Sequence, residues 1–154
     1  MAILSLNGLL CSRVARCGLL ALALACAAPA WSAGWDARTR LTNTAFQDQD
    51  VKVALESGLN QQFVNTFPSS RFGVYVLVDK SNANEPTRGI VYIMLGLCKR
   101  DKDGSYDLPE VTYSSMLILS QDDPAGERRQ ISARLAEQAA VFANAAVQNA
   151  ARIR

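Results

Sequence analysis

The seven residues from Asp101 to Asp107 come nearest to a chemical site in this sequence. Asp101, Asp103, Ser105 and Asp107 offer oxygen atoms at alternate positions, the donor type that a hard cation such as Ca²⁺ requires. The EF-hand pattern needs Gly at the sixth position and Glu at the twelfth. Here Gly104 is fourth, and no carboxylate arrives late enough to close the site. Asp103-Gly104 reads instead as turn chemistry between two strands. Asp107 and Glu110 form a second pair, of the kind that performs acid/base work in glycoside hydrolysis, but loop carboxylates are normally solvated. Cys98 is followed by Lys99 and Arg100, cations that would lower a thiol pKa. Strand alternation leaves only Arg100 on its side, and the expected state is an inert buried thiol.

The sequence contains no His. That removes the commonest general base, the commonest zinc or copper ligand and every Ser-His-Asp or Cys-His arrangement within the chain. There is no Gly-rich phosphate loop and no Cys-x-x-Cys pair. The expectation is a protein without catalytic residues, metal ligands or a cofactor, and not an enzyme. Residues suited to contact with another protein are easier to find. Tyr75 and Tyr92 fall on neighbouring strands and can share a face, while Tyr106 and Tyr113 lie on or beside the same sheet. Tyrosine combines contact area with a polar tip. Asp101 and Asp103 would present acid to a basic partner. Tyr75, Tyr92, Asp101 and Asp103 are therefore the candidate partner-binding residues, set against tyrosines at a core margin and a solvated loop.

The elements that must position them show in the periodicity. From Asp48 to Pro68, Val51, Leu55, Leu59, Phe63 and Phe67 recur every four residues as the apolar stripe of one helix. Asp48 or Asp50 can cap it, and Gly58 weakens it. Three strands follow, at 72–78, 89–98 and 111–119, joined by short loops that favour an antiparallel meander. The second is apolar on both faces, as a central strand would be. Residues 39–46 could add a fourth strand at an edge. Asp123 then caps a long helix with Pro124 in its first turn, and Ile131, Leu135, Ala139, Phe142, Ala146 and Ile153 form its apolar face. Run to Ala151, it would span about 42 Å, against about 33 Å for a ten-residue strand, so it must overhang or break. Gln138 and Asn149 flank that face. The expected fold is α+β, a two-layer sandwich. Three strands, or four, form an antiparallel meander against an N-terminal helix and a long C-terminal helix.

The first 32 residues read as a secretory signal peptide, leaving residues 33–154 as a single soluble domain. Arg13 and Arg16 supply the positive region, and 18–28 is an uncharged apolar run too short to form a stable membrane span. Small residues at 28–33 allow cleavage within Ala30–Ala33, with a cut between Ala30 and Ser32 favoured. Ala23-Leu24-Ala25-Cys26 also loosely matches a lipobox, so anchoring through acylated Cys26 is the alternative. Loss of the signal removes Cys11, Cys17 and Cys26, leaving Cys98 alone and unable to form an internal disulfide. Two of 16 basic residues also leave, and the remaining 14 balance 14 acidic ones. The precursor's net charge of +2 therefore gives no argument for nucleic acid. Export, small size and missing catalytic groups point to a periplasmic protein-binding domain. Its partner would be a toxin, a hydrolase or an envelope component, and one form is an immunity-type inhibitor. The alternatives are an envelope assembly or secretion accessory factor, or a small-molecule carrier with a cavity between the long helix and the sheet. The sequence leaves the oligomeric state open.

Overall fold

The structure, a computed structural model, describes residues 36–81, 89–120 and 123–153. The signal peptide, its cleavage site and Cys26 lie outside the described residues. The element order is β1 (Ala37–Thr42), α1 (Asp48–Gly58), α2 (Gln61–Thr66), β2 (Phe72–Ser81), β3 (Ile90–Lys99), β4 (Val111–Ile118), α3 (Pro124–Gln148) and α4 (Ala150–Ile153). It is an α+β sandwich, a four-stranded sheet with helices packed on one face.

The sheet order is β1-β2-β3-β4. β2, β3 and β4 form the expected antiparallel meander, from Phe72↔Lys99 to Leu97↔Val111. β1 departs from it by pairing with β2 in parallel, Ala37↔Val74 through Thr42↔Asp79, so the sheet is mixed. Parallel neighbours need a crossover, and α1 with α2 supplies one between β1 and β2. β1 also stops earlier than residue 46. Asn43 turns into the left-handed region at φ 54°, and Thr44 and Ala45 are then held by a side chain of α3.

Strand alternation builds the core. Val74, Val76 and Val78 of β2 and Val91, Ile93, Leu95 and Leu97 of β3 all point to the helical face and are buried. Against them lie Val51 and Leu55 of α1, Phe63 of α2, and Ile131, Leu135, Ala139 and Phe142 of α3. The stripe expected of one N-terminal helix is buried as read, but the helix is broken. Leu59 caps α1, and Asn60 caps α2 by accepting the Phe63 N–H at 2.8 Å. This bend brings Phe63 to 5.2 Å from Phe67 and 5.7 Å from Phe142, centroid to centroid. Gly58 is required by packing: a Cβ there would stand 2.4 Å from the Ala136 carbonyl oxygen of α3.

α3 starts as expected, with Asp123 Oδ1 accepting the Gly126 N–H at 2.7 Å and Pro124 in the first turn. Its 25 residues span about 37 Å, and the break expected of so long a helix falls at Asn149. Gln138 is buried inside the stripe. Its amide donates to the Ile93 and Tyr113 carbonyls at 3.2 and 2.9 Å and accepts from the Ser115 hydroxyl at 2.8 Å. A buried amide so engaged fixes α3 over the β3–β4 seam.

The other buried polar side chain among the described residues is Glu127, 5% exposed. Its carboxylate accepts from Lys80 Nζ (2.7 Å), Thr44 Oγ1 (2.6 Å) and Ala45 N–H (2.8 Å). Burial pushes its pKa up, but the Lys80, Thr44 and Ala45 hydrogen bonds and the Lys80 charge outweigh burial, and the net shift is downward. A carboxylate more acidic when folded stabilises the fold above its unfolded pKa, and that contribution fades as the pH falls through the folded value. Glu127→Gln should therefore lower the unfolding free energy by about 1–3 kcal/mol at pH 7. The deficit should shrink below the ordinary glutamate pKa of about 4.3. Urea melts of both proteins from pH 7 to pH 3 measure this, and a deficit independent of pH would contradict the assignment.

Candidate functional site

The sheet face turned away from the helices is the surface that could meet a partner. Pairing puts five rows across it: Gly73–Cys98, Arg38–Tyr75–Gly96–Thr112, Arg40–Leu77–Met94–Ser114, Thr42–Asp79–Tyr92–Met116 and Ser81–Ile90–Ile118. The last two rows hold a block of exposed apolar side chains: Ile90 and Tyr92 at 37%, Ile118 at 65% and Met116 at 70%. Ile90 lies directly across from Ile118, and Tyr92 across from Met116. Among the described residues no strand pairs with the outer edge of β4, and Val111–Leu119 carries no charged residue. Natural edge strands usually carry charges or Pro that discourage further pairing.

The opposite end of the face is covered by the β3–β4 connection. Tyr106 lies on Gly73, where a Cβ would be 2.3 Å from its ring, and Pro109 lies on Gly96, where a Cβ would be 2.8 Å away. Glycine at both positions lets the loop sit directly on the strands. Tyr106 Oη donates to Asp36 Oδ2 at 2.9 Å, and the Arg100 guanidinium stands 5.5 Å above the Tyr106 ring and 3.6 Å from Asp36. Burial, together with the Asp36 hydrogen bond and charge, pushes the Tyr106 phenol pKa up. A groove of 370 Å³ runs beneath the loop, lined among others by Arg38, Tyr75, Met94, Cys98, Tyr106 and Leu108. Burial pushes the Cys98 thiol pKa up, against the opposing charge of Arg38.

The loop tip is a turn. The Asp101 N–H donates to the Ser105 carbonyl at 2.9 Å, and Gly104 takes φ 84°. Asp103 accepts the Ser105 N–H at 2.9 Å and hydroxyl at 2.7 Å; these hydrogen bonds, the N–H first, lower its pKa. Among the described residues no three His, Cys, Asp or Glu side chains gather as metal ligands.

Tyr75 and Tyr92 share the open face, two rows apart, with Tyr75 half-buried. Asp101 and Asp103 sit beyond the far end of β3. Asp101 lies nine positions after Tyr92, about 30 Å along an extended chain, so the tyrosine and the two acids do not form one patch. Tyr113 points to the helical face, in register with Leu95. The sequence reading missed Ile90, Met116 and Ile118 of the exposed block and Arg38 of the groove. Period-2 alternation from Thr112 and Ser114 extends to Met116 and Ile118, and that was the available signal.

No family model matches the chain, and no curated protein matches it. Among solved structures it is similar to a candidate lipoprotein from Caulobacter crescentus CB15, at 12% identity and TM-score 0.36. The match covers 75% of this chain and 88% of that one. At this level the likeness decides neither fold family nor function. Among the described residues no helix is long and apolar enough to cross a membrane.

Seating of the loop depends on Gly96. In a chain carrying Cys11, Cys17 and Cys26 as Ser, Gly96→Ala should lift Pro109 and expose Cys98, 4% accessible in the native fold. Its reaction with an aromatic disulfide reagent should accelerate several-fold while circular dichroism stays native. An unchanged rate would mean that the loop does not roof the thiol.

Proposed function

We propose that this chain is an exported, non-enzymatic domain that binds another protein through its open sheet face. The partner is an envelope component, or a toxin or hydrolase directed at the envelope that the domain holds inactive. The observation that carries this reading is the exposed block of Ile90, Tyr92, Met116 and Ile118. Clustered apolar side chains beside an unprotected strand edge mark an interaction surface, whereas scattered ones do not. The missing His and the raised Cys98 thiol pKa favour binding over catalysis.

A pull-down from envelope extract with the tagged wild-type chain should recover one stoichiometric protein. Tyr92→Ala should weaken that complex roughly tenfold and Tyr92→Ala with Met116→Ala more, the scale of central interface side chains. Melting temperatures should barely change. Val53→Ala, on an exposed part of α1, should bind as wild type. Full binding by the double variant would remove the sheet face from the proposal. Alanine at Tyr75, Asp101 or Asp103 tests whether the interface reaches the loop end.

A further inference from the structure

The groove at the loop end has a composition of its own. Its walls are the carbon surfaces of Tyr75, Met94, Tyr106, Leu108 and Pro109, and its volume of 370 Å³ falls in the range of about 300–1,000 Å³ typical of small-molecule sites. One basic side chain lines it, the exposed Arg38 of β1, in the row of Tyr75. Arg38 forms no ion pair among the described residues. Two other cations at this end are matched, Arg100 by Asp36 at 3.6 Å and Lys99 by Glu110 at 3.1 Å. Arg40, one row away and outside the groove lining, forms no ion pair among the described residues. Asp107 lines the groove from the loop and forms no ion pair among the described residues. Both charges act on the Cys98 thiol on the floor, Arg38 lowering its pKa and Asp107 raising it, while burial, the largest cause, leaves it raised.

We infer that this groove binds a small organic anion with an apolar body, its carboxylate on Arg38 and its chain or ring between Tyr75, Met94 and Leu108. A guanidinium presents paired N–H donors that match a carboxylate, and the carbon walls take the rest of the molecule out of water. The groove lies on the face away from the helices, not between long helix and sheet where a carrier cavity was expected. This site is independent of the protein-binding proposal, because the exposed apolar block occupies the other end of the face.

Calorimetric titration of the purified protein with dodecanoate, below its micellar concentration, tests the assignment. One saturable site per chain is expected, with dodecanol of the same length binding at least roughly tenfold more weakly for want of the charge. Arg38→Gln should reduce dodecanoate to the dodecanol level, while Arg40→Gln, one row away, should leave it unchanged. 2-Naphthoate in place of dodecanoate distinguishes a ring from a chain as the apolar body, and tighter binding of either acid supports the site. Absence of saturable binding by both acids, equal affinity for acid and alcohol, or a native response in Arg38→Gln would each overturn it.

Discussion

A buried carboxylate ties together parts of this fold that lie far apart in sequence. Glu127 lies in the first turn of α3, Lys80 near the end of β2, and Thr44 and Ala45 in the turn that follows β1. Beside it, the Arg128 guanidinium donates to Asp50 of α1 at 2.7 and 2.9 Å, and Asp50 accepts the Gln47 N–H. The start of the last long helix is thus held to the first strand's exit by two polar links. Two consequences follow for the layering. The chain leaving β1 is directed onto the face that α3 occupies, so α1 and α2 cross over on the same side. The return into β2 is then parallel to β1. The geometry has an energetic reason as well: a carboxylate out of water is tolerated only when its oxygens are taken up, and here three donors do so.

One-sided layering sets what the other face can be. α1 and α3 approach closely because Gly58 meets α3 at Ala136 and Ala139, and the buried alanines of α3 take little room. Gln138 then holds α3 to the β3–β4 seam through two main-chain carbonyls and a serine hydroxyl. Among the described residues every helix lies on that side, and the outward residues of β2, β3 and β4 have only the β3–β4 loop as cover. A sheet of this size with one face on the core and one facing water is ordinary for antiparallel strands, but the outward residues are then usually polar. Ile90, Tyr92, Met116 and Ile118 break that alternation, and the departure separates this face from a merely solvated one.

The sequence revealed the elements better than their connections. The stripe from Val51 to Phe67, the three central strands and the capped start of α3 were legible because each rests on local periodicity and capping. The break at Leu59–Asn60 was not, since the four-residue spacing of the stripe runs through it undisturbed. Parallel pairing of β1 was hidden for another reason: residues 37–42 alternate charged and uncharged residues and carry no long apolar run. Gln138 looked like a polar neighbour of the stripe because no local pattern marks an amide that will find two carbonyls across a sheet. At the candidate site, Tyr75 and Tyr92 were assigned to a common face from strand alternation alone. Register decides the rest. It sets Met116 beside Tyr92 and Arg38 beside Tyr75, and it leaves Asp101 and Asp103 a strand's length from Tyr92.

The two glycines of the outer face explain why its ends differ. Gly73 and Gly96 stand in strands otherwise rich in large side chains, and each accepts a loop side chain directly on the backbone. Where they occur, the loop descends, Cys98 disappears beneath it and a walled groove with one cation remains. At the corresponding positions of the other end stand Ile90, Tyr92, Met116 and Ile118, and no described element reaches them. A flat block of large apolar side chains suits the broad contact of another protein, whereas a narrow groove with one guanidinium suits a small charged molecule. The same sheet face thus carries two kinds of surface because small residues let the loop in at one end and large ones face outward at the other.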